Sequence, residues 1–74
     1  MRQINWQQTC CAHHGEYAEA PTVDGGIARI KRGPEIDGYL VCAFDANGKA
    51  TQTDADGVPA YVLMDEAALS TLIT

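Results

Sequence analysis

Tyr39-Leu40-Val41-Cys42-Ala43-Phe44 is the stretch on which the reading of this chain turns: an unbroken apolar run, opened by Asp37-Gly38 and closed by Asp45-Ala46-Asn47-Gly48. In a strand, alternation places Leu40, Cys42 and Phe44 on one face and Tyr39, Val41 and Ala43 on the other. Both faces are apolar. Such a strand belongs inside a sheet, with a neighbour on each side.

Toward the N-terminus, Gly33-Pro34 ends a second extended stretch, Ile27 to Arg32, and Asp24-Gly25-Gly26 supplies the permissive backbone of a tight turn before it. Tyr17-Ala18-Glu19-Ala20 runs into Pro21, which suits an edge strand because proline lacks a donor. Ile27 and Ile30 fall on opposite faces under strict alternation, which requires either a bulge or one isoleucine left in water. Toward the C-terminus, Asn47-Gly48 favours the left-handed backbone of hairpin loops. Lys49 to Thr53 reads as a short polar edge strand, Asp54-Ala55-Asp56-Gly57 as a second turn, and Val58-Pro59-Ala60-Tyr61-Val62-Leu63 as a last extended segment.

The C-terminus carries helical signals. Asp65 can accept hydrogen bonds from the amides of a first turn, Met64 can staple onto Leu69, and Leu69, Leu72 and Ile73 form one apolar stripe. At the N-terminus, Asn5 followed by Gln8 resembles a capping box, Trp6 to His14 contains no glycine or proline, and Gly15 stands where helices commonly end. A short N-terminal helix is preferred there over a strand. The fold class is therefore α+β: one domain over residues 1–74, with a three- or four-stranded antiparallel sheet covered by a C-terminal helix, and a short helix at the start.

Of the 74 residues, 46% are hydrophobic, but 11 are alanine and 3 cysteine, which leaves a thin set of larger apolar side chains. Ordering costs roughly 1.5 kcal/mol per residue and burial returns about 25 cal/mol per Å², so a partner, a metal or self-association is expected to assist. No run approaches the roughly 18 apolar residues of a membrane span, and Met1 to Asn5 lacks a signal peptide's apolar stretch. Three cysteines cannot all pair within one chain. The expectation is a cytoplasmic protein with reduced thiols and no membrane partner.

Charge narrows the function further. The net charge is −5, and residues 39–74 hold most of it, in Asp45, Asp54, Asp56, Asp65 and Glu66 against Lys49 alone. Direct binding to nucleic acid is disfavoured, since phosphate neutralisation needs clustered cations. Arg29-Ile30-Lys31-Arg32 is the one counter-signal; it reads first as a solvated strand edge guarded by charge and second as a basic contact patch.

Cys10-Cys11-Ala12-His13-His14 gathers residue types that zinc prefers, with Cys10 and His14 one helical turn apart. Four ligands within five consecutive residues cannot converge tetrahedrally without Cys42 or a carboxylate from elsewhere. The cluster therefore reads as small thiols beside exposed imidazoles, with no metal or other cofactor expected and a zinc-stabilised module as an alternative. A Cys–His catalytic pair is disfavoured because a chain this short can scarcely enclose a pocket. The aspartate-rich turns fail as calcium loops: with Gly57 as the loop glycine, the first and twelfth positions fall on Gln52 and Leu63, and with Asp45 first, the fifth is Lys49. No phosphate-binding glycine motif is present.

What remains is a non-enzymatic protein that acts by occupying another macromolecule's surface. The candidate contact residues are Glu35, Asp37, Asp54, Asp56, Asp65 and Glu66, which would meet a basic surface on a host protein; Trp6, Tyr39 and Tyr61 are candidate anchors, though each also suits the core. A homodimer, or a small homo-oligomeric assembly protein, is the alternative. In size, charge and coarse architecture the chain resembles phage-encoded inhibitors, including anti-CRISPR proteins and DNA mimics. That resemblance implies occlusion of a nucleic-acid-binding surface.

Overall fold

The structure, a computed structural model, describes residues 4–8 and 15–74. Its elements follow the chain as β1 (Gln7–Gln8), β2 (Glu16–Pro21), β3 (Ile27–Arg32), β4 (Tyr39–Phe44), β5 (Val62–Met64) and α1 (Glu66–Leu72). Strands β2 to β5 form an antiparallel meander, and the two-residue β1 extends it beside β2, so the sheet order is the chain order. β4 is flanked by β3 and β5, as its two apolar faces require.

Register explains which side chains are buried. Ala18, Ile30, Val41 and Val62 lie in one row across the sheet, and Ala20, Ala28 and Ala43 in the next. These rows face α1, whose Leu69 joins Ala20, Ala28, Ile30, Val41 and Ile73 in the core, with Ile4, Trp6, Tyr39, Met64 and Leu72 packed around it. Ala20 on β2 and Ala28 on β3 are small side chains that share this core with Leu69. Asp65 caps α1 by accepting the Ala68 N–H at 2.8 Å. At its other end, Val23 N–H donates to Leu72 O and Thr74 N–H to Pro21 O, while Ile73 bridges Thr22. The helix thus leaves β5 and crosses the sheet to β2, whose outer edge is covered by β1 at one end and by the C-terminal residues at the other.

The mismatch between Ile27 and Ile30 is resolved by exposure. The β2–β3 register is continuous, with Ile27 49% exposed and Ile30 fully buried. Two expectations are corrected. Gln7 and Gln8 pair with Tyr17 and Glu16, so the N-terminal helix expected from Asn5 does not form over them; residues 9–14 of that segment lie outside the described residues. A capping pair contributes about 1 kcal/mol to a helix too short to be stable alone, whereas packing the side chains of Ile4 and Trp6 on the core is worth roughly 1.5–3 kcal/mol for each side chain fully buried. The polar edge strand expected over Lys49 to Thr53 reduces to single bridges, Phe44 with Ala50 and Thr53 with Pro59.

Candidate binding surfaces

The acidic candidates are divided between the two ends of β4. Glu35 and Asp37 lie in the connection that enters β4 at Tyr39, and Tyr39 pairs with Met64, so Asp65 and Glu66 emerge at the same end. Gly38 makes this juxtaposition close: a Cβ there would stand 2.6 Å from Met64 O, and its φ of +114° is one that side chains disfavour. Asp65 is occupied as the helix cap. The carboxylates of Glu35, Asp37 and Glu66 have no hydrogen-bond or ion-pair partner among the described residues.

Asp54 and Asp56 belong to the long connection that leaves β4 at Phe44, the opposite end. That connection uses one turn twice. Asp45 Oδ1 accepts the N–H groups of Asn47 and Lys49, and Asp54 Oδ1 accepts those of Asp56 and Val58, all within 2.9–3.0 Å. Gly48 and Gly57 close the two turns at φ near +82°, while no other residue type takes positive φ among the described residues. The left-handed backbone foreseen for Asn47-Gly48 is therefore confined to the glycine. Since Asp45 and Asp54 spend a carboxylate oxygen on turn amides, their spacing is explained by backbone geometry, and no cluster of three metal-ligating side chains occurs among the described residues.

Cations and aromatic rings sort by sheet face. The edge-guard reading of Arg29-Ile30-Lys31-Arg32 is overturned, because β3 is an interior strand. Arg32 points to the helix side, where its guanidinium lies 4.0 Å from the Trp6 ring and 3.3 Å from Glu16 Oε1. Trp6 in turn stacks on Tyr39 with centroids 6.0 Å apart. Two of the three candidate anchors are thus parts of the packed framework. Arg29 and Lys31 point to the other face, which α1 leaves open. Arg29 lies over the Phe44 ring at 5.2 Å and Lys31 Nζ over the Tyr61 ring at 4.5 Å. Tyr17, Ile27, Tyr61 and Leu63 are exposed on or beside this face. Cys42 pairs in register with Arg29 on this face, and its thiol is buried.

Sequence reasoning did not single out Tyr17 and Leu63, and foresaw exposure of an isoleucine only as one alternative to a bulge. The signal was available: the strands carry two apolar faces and the chain supplies one short stripe, Leu69, Leu72 and Ile73, able to cover only one of them. Cys10, Cys11, His13 and His14 lie outside the described residues. One open depression beside the β3–β4 connection is lined by Glu16, Arg32, Pro34, Ile36 and Tyr39. No helix among the described residues is long and apolar enough to cross a membrane. No family model, curated protein or solved structure matches the chain.

Proposed function

We propose that this chain is a non-catalytic, acidic protein-binding module of the cytoplasm, an inhibitor that lays its negative end on a basic, nucleic-acid-binding surface of a host protein. The reading is supported by one observation above the rest: the approach of Gly38 to Met64 brings Glu35, Asp37, Asp65 and Glu66 to one end of the sheet, and three of these four carboxylates have no partner among the described residues. Charges held on a rigid frame speed encounter with a complementary surface and penalise the wrong one, more than they add affinity. Asp54 and Asp56, at the opposite end, contribute to the overall field and stand outside this contact. The likeness in size and charge to phage-encoded anti-CRISPR proteins and DNA mimics agrees with such a role.

The test is charge reversal at one end, with the other end as control. The chain, immobilised in a host lysate, is expected to retain a nucleic-acid-binding protein at low salt, and duplex DNA should compete it away. The E35K/D37K/E66K variant should lose that protein while D56K keeps it. Retention that survives the triple reversal, or a partner indifferent to DNA, would overturn the proposal.

A further inference from the structure

The open sheet face differs in character from the acidic end. It presents Tyr17, Ile27, Tyr61 and Leu63 around Arg29 and Lys31, in a molecule whose net charge is −5. Glu19, 3.7 Å from Arg29, is the one carboxylate paired on it among the described residues, and both of those side chains are more than half exposed. Lys31 has no carboxylate partner among the described residues and rests on Tyr61 alone.

From this arrangement we infer that the open face docks a segment of a partner protein that carries apolar side chains together with carboxylates. Arg29 and Lys31 are two residues apart on an interior strand, hence on one face and roughly 7 Å from each other, a span that a carboxylate seated between them can share. The exposed tyrosines, isoleucine and leucine supply the apolar area that a charged pair alone would lack.

Charge decides against two other occupants. A second copy packed face to face would bring the Arg29 and Lys31 of both copies into one dehydrated layer, with Glu19 as the sole compensating residue from each; unpaired cations in such a layer are costly. Single-stranded nucleic acid needs free ring faces for its bases, yet Phe44 and Tyr61 each carry a cation over the ring.

The experiment follows amide shifts of the full chain by NMR during titration with three probes: a blocked hexapeptide of alternating leucine and glutamate, the same peptide with lysine in place of glutamate, and oligo(dT). Light scattering gives the oligomeric state in parallel. The leucine–glutamate peptide should shift residues 17, 27–31 and 61–63, and K31E or the milder K31Q should weaken its binding by roughly tenfold or more, with E35K/D37K leaving it unchanged. Absence of shifts at about 5 mM peptide, equal binding of the lysine peptide, shifts of this face by oligo(dT), or a dimer that L63D dissolves would each overturn the inference. Because K31E and the reversals at Glu35 and Asp37 act on separate surfaces, failure here leaves the acidic-end proposal standing, and the converse also holds.

Discussion

The two faces of the sheet are built from the same strands and behave as different materials. On the helix side, Ala18, Ala20, Ala28, Ile30 and Val41 are buried under Leu69 and Ile73. On the other side, residues one position away, Tyr17, Ile27 and Leu63, stand in water beside Arg29 and Lys31. What separates them is a single short helix. It buries one face, so the apolar side chains of the other stay exposed beside those cations.

Core truncation should break this comparison most sharply. Ile30→Ala is expected to destabilise by about 2–5 kcal/mol in urea unfolding, whereas Leu63→Ala, at a residue 58% exposed, should change stability by less than about 0.5 kcal/mol. A chain this small could fail to fold with the first change; Ile30→Val, expected to cost about 1 kcal/mol, keeps the contrast measurable. Equal costs on the two faces would mean that the open face is covered in solution. Loosening the covering element comes next. Asp65→Ala removes the cap of α1 and should cost about 1 kcal/mol, seen as a melting temperature lowered by about 4–8 °C, with Glu66→Ala smaller.

The smallest effect concerns the turn to which the end of α1 is fastened. Asp24 is held below its ordinary carboxylate value, 3.8, first by the Thr22 hydroxyl and then by the Gly26 N–H. Because the folded state favours the ionised form, this contribution is present above the ordinary value and disappears as pH falls through the lowered one. Asp24→Asn should flatten that part of the acid dependence of unfolding; an unchanged slope would refute it.

Much of the fold was legible along the chain. Two apolar faces marked β4 as an interior strand, Asp65 with Leu69, Leu72 and Ile73 marked α1, and the glycine-containing turns marked the hairpins, because each signal is local. The misreadings share one cause. Arg29-Ile30-Lys31-Arg32 resembled a guarded edge, but β3 pairs with β2 on one side and β4 on the other, and its Arg29 and Lys31 belong to an open sheet face. Asn5 to Gln8 resembled a helix start until the packing of Trp6 on Tyr39 and Arg32 outweighed the cap. For the candidate site, the residue types were evident and their grouping was not: Glu35 and Asp37 share one end of the sheet with Asp65 and Glu66 because Tyr39 pairs with Met64 and Gly38 can approach Met64 O.

The amino-acid sequence by itself determined the α+β class, the alternation of faces within each strand and the residues that turn the chain, since side-chain direction and backbone preference are properties of short segments. Tertiary structure alone decided which face the helix covers, which cations rest on which rings, and which carboxylates stand together. Those outcomes depend on strand order and on close approaches between distant segments, and no local preference encodes them.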